Sequence, residues 1–224
     1  MAKAVKRSRI DELVEQAETA LQREACFEAE RMAAKAMRMA RDVNDFTRLA
    51  RTCQPLKAAR EQRAGKAMKT GRVDIFDAEI SEDMTVEPGC YLVQPPQVGA
   101  DARRLRLAAL SREVPALVIC REPLTQTGQW PVVAITSGVT VRTKIDPPEN
   151  PDVPNLDWFS DALDALGQWA IMSIDCEMEP DRRIDALLAR LDATPDSLVL
   201  HDVLAETCLD YAAQSDESVG QKQK

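Results

Sequence analysis

Apolar residues recur every three to four positions near both ends of this chain and every second position around Ser137-Gly138. That change of period is the strongest constraint on the fold. A repeat near 3.6 gathers side chains on one face of a helix, a repeat of two gathers them on one face of a strand, and neither pattern suits the other backbone. Near the start, Ile10, Leu13, Val14, Ala17, Ala20 and Leu21 make one helical stripe. A second run covers about 27–41, with Met32, Ala33, Ala36, Met37 and Ala40 inward. A third places Phe46, Leu49, Ala50, Cys53 and Leu56 on one face. Asn44 or Asp45 is positioned to cap that third run, because either side chain accepts from the first free N–H groups. Pro55 removes a backbone bond inside it and predicts a kink or a fresh helix start. The basic stretch through Arg72 reads as a fraying end and a linker.

From Val73 the texture changes. Cys90–Val93 and Ala116–Cys120 are short apolar runs. Between them a loop leads into a helix capped by Asp101 and running to about Arg112, with Leu105, Ala108 and Ala109 inward. Strand, helix, strand at this spacing is a βαβ unit with parallel strands. Residues 131–135 and 139–145 flank Ser137-Gly138 and predict an antiparallel hairpin. Its second arm carries Val139, Val141, Thr143 and Ile145 on one side and Thr140, Arg142 and Lys144 on a wet side. The fold class expected is α+β, or mixed α/β: helical segments at each end flank a small mixed sheet of about four strands with one crossover helix.

Four prolines fall within 146–154, so 147–156 is expected to be a stiff linker and a boundary. The domain organisation expected is a helical segment over 1–72, a small α/β domain over 73–146, the linker, an acidic helical segment over 157–214, and a disordered polar tail over 215–224. In the acidic segment, helices are expected over about 157–174, 180–191 and 197–213.

Charge follows the same division. Residues 1–72 carry 17 Lys and Arg against 10 Asp and Glu, and residues 151–224 carry 5 against 16, within a net charge of −8. The two ends can attract each other within one chain or between copies. The basic charges alternate with acids at helical spacing, the pattern of solvated faces rather than of a nucleic-acid surface. With aromatics at 4 %, a platform for stacking bases is not expected either. The six cysteines stand far apart with no C-x-x-C, no stretch approaches a membrane span, and the basic start lacks the apolar core of a secretory signal. Free thiols and a cytoplasmic location are therefore expected.

Residues 24–50, within the helical stretch 10–63, resemble a tetratricopeptide-type repeat. Aromatic Phe27 opens the second helix, small residues Ala29, Ala36 and Ala40 stand where helices cross, and polar Asn44-Asp45 turns the chain toward Ala50. The resemblance implies stacked helical hairpins presenting a groove to a protein or peptide partner. The same spacing also fits an ordinary antiparallel bundle.

For chemistry the sequence offers little. There is no G-x-S-x-G, no G-x-G-x-x-G and no G-x-x-x-x-G-K-[ST]. The sole histidine, His201, stands seven residues before Cys208 and reads as a surface or half-buried helix position. Asp175, Glu177 and Glu179 read as a solvated loop rather than metal ligands, and Asp157, Asp161 and Asp164 as the outer face of a helix. No catalytic residue, metal or cofactor is expected. The one candidate ligand site is the strand-to-helix turn at 93–106. There free helix N–H groups, Gly99, Arg103 and Arg104 could meet an anion, with Asp101 competing for the helix end. The leading reading is a non-enzymatic interaction protein. A small-ligand or enzymatic α/β domain using that turn is the alternative, and nucleic-acid contact by residues 1–72 comes third.

Overall fold

The computed structural model describes residues 2–81, 84–124 and 128–221. In chain order these form α1 (Ala2–Gln22), α2 (Cys26–Asp42), α3 (Phe46–Met68), β1 (Val73–Phe76), β2 (Gly89–Val93), α4 (Gly99–Ser111), β3 (Ala116–Arg121), β4 (Trp130–Thr136), β5 (Val139–Ile145), α5 (Leu156–Met172), α6 (Pro180–Ala193) and α7 (Leu198–Gln221). The chain is α+β, with helices at both ends of a mixed sheet, and the sheet has five strands rather than four. None of the helices among the described residues is long and apolar enough to cross a membrane.

The chain divides into two compact units. One comprises residues 1–62, 174–188 and 198–224, and the other 63–173 and 189–197. The helical ends thus belong to one unit. The division departs from the sequence boundaries at 72 and at the proline-rich stretch. Residues 147–156 fall inside the sheet-containing unit together with α5, and the local contacts give the reason. The Trp158 indole N–H donates to the Asp146 carbonyl at 2.9 Å, and its ring meets Trp130 edge-on at 5.5 Å. The chain on either side of the prolines is thereby held to β4.

In the helical unit, α1 and α2 end alike. Glu24 and Asn44 take positive φ, 57° and 53°, and the next N–H groups, of Ala25 and Asp45, bond back to Ala20 and Ala40. These are helix stops of the left-handed type. Asp45, not Asn44, caps α3, accepting from the Arg48 N–H at 3.1 Å. Helix α3 runs unbroken through Pro55. The missing proline N–H would have served the carbonyl of exposed Arg51, which solvent can satisfy. Apolar faces of all the helices in this unit are shut from solvent: Leu13 and Ala17, Ala33 and Ala36, Leu49 and Leu56, Ile184 and Leu187, Leu200 and Leu204. Helix α7 continues to Gln221, past Ser215, where polar composition suggested a loss of order. Residues 222–224 lie outside the described residues.

In the other unit the strands lie in sequence order, β1-β2-β3-β4-β5. The first three are mutually parallel, and β3-β4-β5 are antiparallel. The hairpin closes with Thr136 opposite Val139 and Gly138 at φ 93°. Tyr91, Val93, Val118, Cys120, Val133 and Ile135 present one sheet face to α4, where Leu105 and Ala109 are buried. The opposite face buries Leu92, Leu117, Ile119 and Val132.

Candidate functional site

Helix α4 starts close against the sheet. A Cβ on Gly99 would stand 3.2 Å from Ile135 Cγ2 and 3.3 Å from Val133 Cγ1. Gly99 is therefore a packing residue that brings the helix end against β4, not a phosphate cradle. Helix α4 begins two residues before the expected cap. Val98 occupies the cap position, and the Asp101 carboxylate bends back to accept the Val98 N–H at 3.0 Å. Asp101 also accepts from Arg104 at 2.7 Å. The helix terminus is thus already served by an acid of its own, which leaves an external anion little to gain there.

The open space lies along the flank of α4 instead. Ala100, Arg103, Arg104, Leu107, Ala108 and Ser111 recur at helical spacing down one side, facing Ile135, Thr136 and Ser137 at the end of β4 and its turn. Between them is a groove of about 610 Å³, and among the described residues no carboxylate lines it. Leu107 is 41 % exposed within it. Of its two cations, Arg104 is engaged with Asp101 and with the Ile80 carbonyl. Arg103 is different. It is half-buried, and its Nε is shut from solvent with no hydrogen-bond partner. Among the described residues Arg103 has no ion pair, so its guanidinium charge is open to an acid arriving in the groove. Of the three residues the sequence singled out, Arg103 and Arg104 line this groove, and Gly99 lines a smaller cleft instead.

A second cleft shares Arg103 and runs between α4, α5 and residues 193–197, but it holds only about 30 Å³, room for about one water. In it Arg106 reaches the Asp192 carbonyl at 3.1 Å. In the helical unit, Glu12, Glu15, Gln16, Thr19, Arg23 and Glu28 line a groove of about 310 Å³ with no apolar side chain, and Arg23 is paired with Glu28. A third half-buried cation, Arg121, has its pKa lowered by burial. It lies 4.6 Å over the Trp130 ring and donates to Gln94 at 2.7 Å; its Nε, like that of Arg103, is shut from solvent with no hydrogen-bond partner.

His201 is not at the surface. It is fully buried in α7, where the Arg60 guanidinium lies 3.2 Å from its Nε2. Arginine can only donate, so Nε2 accepts and the ring proton sits on Nδ1. Arg60 also bonds buried Glu30 at 2.9 Å, tying α2, α3 and α7 into one charged cluster inside the helical unit. The basic stretch expected to be a linker contains two such anchors. Arg63, inside the α/β unit, is buried against Asp196 at 2.8 Å and the Ala116 carbonyl. Sequence reasoning missed both because their partners lie tens of residues away or more.

Five cysteines are buried and Cys176 is exposed. Burial pushes Cys53 and Cys120 up to about 12 and Cys90 to about 11, and raises Cys208 as well, which suits packing rather than nucleophilic chemistry. Among the described residues no three metal-ligating side chains gather. Asp157, Asp161 and Asp164 are exposed on α5. No protein-family model, curated protein or solved structure matches this chain.

Proposed function

We propose that this chain is a non-enzymatic binding protein, and that its binding surface is the groove along α4, which takes a partner carrying a negative charge beside apolar surface. The observation that supports this reading most directly is Arg103: among the described residues it is a half-buried cation with no ion pair, on a groove that no acid lines. Binding sites generally pair apolar walls with a few convergent polar groups. Leu107, Ala108 and Ile135 supply the first, and Arg103, Ser111 and Ser137 the second.

Two other readings have less behind them. A peptide groove on the tetratricopeptide-like helices would need apolar anchors at the surface, whereas the groove on α1 and α2 is polar throughout. Contact with nucleic acid would need free basic charge. In the helical unit Arg41 is held by Asp185, Arg48 and Arg51 by Asp11, Lys57 by Asp202 and Arg60 by Glu30.

Titration of the full chain with octanoate, an eight-carbon carboxylate, followed by amide and arginine Nε–Hε NMR signals, tests the reading. Shifts confined to residues 100–111 and 134–138, and lost in Arg103→Met, are expected. Shifts elsewhere, or shifts indifferent to that substitution, would refute it.

A further inference from the structure

We infer that the occupant of the α4 groove is an extended peptide segment of another protein, bearing one carboxylate two positions from an aliphatic side chain. This rests on the binding reading above and narrows it to a class of partner.

The charge of the groove sets the first requirement. Arg104 already pairs with Asp101 at 2.7 Å and also donates to Ile80, which leaves Arg103 as the cation without a counter-charge among the lining residues. One unneutralised guanidinium matches one carboxylate, which it can bind through two nitrogens. A phosphate dianion would bring charge that no second free cation here offsets.

Length and spacing set the second. From Ala100 to Ser111 the groove follows eleven helical steps, about 16 Å. Five residues of extended chain span that distance. Arg103 and Leu107 are one helical repeat apart, about 6 Å along the axis. In an extended chain, side chains two apart point the same way and stand about 6.6 Å from each other. An acid opposite Arg103 therefore places the second side chain over along the exposed Leu107, with Ala108 and Ile135 nearby.

Polar groups on the walls favour an extended backbone over a helical one. Ser111, Thr136 and Ser137 line the groove; the Ser111 hydroxyl donates to the Ala108 carbonyl at 2.9 Å and keeps only its acceptor capacity. An extended segment brings N–H and C=O groups that need partners, whereas a helix has already satisfied its own. Strand β4 pairs with β5 along its length and with β3 at Val132 and Val133, and the segment is read here through the side chains that line the groove.

The test uses the full chain and fluorescein-labelled nine-residue peptides of Ser and Gly carrying one Glu and one Leu, one to four positions apart, read by fluorescence anisotropy. Saturable binding strongest at the two-residue spacing is expected, weakened about tenfold or more by Arg103→Met, by Leu107→Ser, and by Glu→Gln in the peptide. The peptide substitution leaves the protein untouched, so loss of fold cannot imitate it. Equal binding of the Gln peptide, or equal binding at every spacing, overturns the inference. If octanoate shifts the groove signals in an Arg103-dependent way while no peptide binds, the peptide class is wrong and the binding reading stands. If neither ligand binds, both fall.

Discussion

Gly167→Ala isolates one contact whose energetics can be worked through from the geometry. Gly167 lies in α5, where a Cβ would fall 2.1 Å from Ser197 Oγ and 2.7 Å from Ser197 Cβ. The hydroxyl can rotate away, but the Ser197 Cβ is fixed to its backbone. Carbon atoms prefer about 3.5–4.0 Å, so the overlap is about 1 Å and either α5 or residues 194–197 must shift. Both are anchored: Leu166 and Ala170 are buried beside Gly167, and the Ser197 N–H bonds to the Thr194 carbonyl at 3.2 Å. Overpacking of this kind costs about 1–3 kcal/mol, and the fixed Cβ argues for the upper end. Alanine gains about 1 kcal/mol over glycine in a helix interior, so the net loss is about 2 kcal/mol. That corresponds to a fall in Tm of about 4–8 °C for a chain of this size. The tryptophans, Trp130, Trp158 and Trp169, all fall in the sheet-containing unit, so their fluorescence follows its unfolding alone. In a Ser197→Gly background the nearest remaining atom is the Ser197 Cα, at 3.7 Å, an ordinary contact. There the same Gly167→Ala change should stabilise by about 1 kcal/mol. A loss of the same size in both backgrounds would refute the reasoning.

Removing Arg60 should be costly. Arg60→Met breaks the buried Arg60–Glu30 pair and the contact with His201 and should destabilise the helical unit by about 3–5 kcal/mol, read by far-UV circular dichroism during urea unfolding. The native chain should titrate one thiol promptly, Cys176, and all six after denaturation, as a timed thiol-reagent assay would show. Rapid loss of more than one native thiol would contradict the packing. Asp164 has its pKa raised by desolvation and then by Asp161. The folded chain therefore keeps a proton that the unfolded chain has already released, and stability falls as pH rises through that window. Asp164→Asn should raise Tm at neutral pH and leave it unchanged well below the ordinary carboxylate range, seen in unfolding curves across pH.

Features written locally were legible in the sequence. The hairpin around Gly138 was marked by its turn and its alternation, the β2-α4-β3 crossover by spacing, and the helix faces by their period. What escaped depends on distant partners. Strand β1, the short run Val73–Phe76 with an acid inside it, exists through its parallel pairing with β2 and carries no turn or alternation strong enough to announce it. His201 looked like a surface position because Arg60 and Glu30 lie 141 and 171 positions away in sequence. At the site, Arg103 and Arg104 were found from their place after a strand-to-helix turn. The facing wall was not, since nothing local says that β4 lies beside β3. Asp101 was expected as the helix cap; it stands three residues inside instead, and reaches back to the Val98 N–H.

Each unit is assembled from separated stretches of chain, and this has a consequence for synthesis. Helices α1, α2 and α3 leave the ribosome well over a hundred residues before α7, whose Leu200, Leu204 and Cys208 share their core. The sheet likewise awaits residues 189–197. A growing chain therefore carries uncovered apolar stripes for most of its synthesis, the state most open to aggregation and to capture by chaperones. A stop or a protease cut ahead of α7 would leave the helical unit in that state permanently.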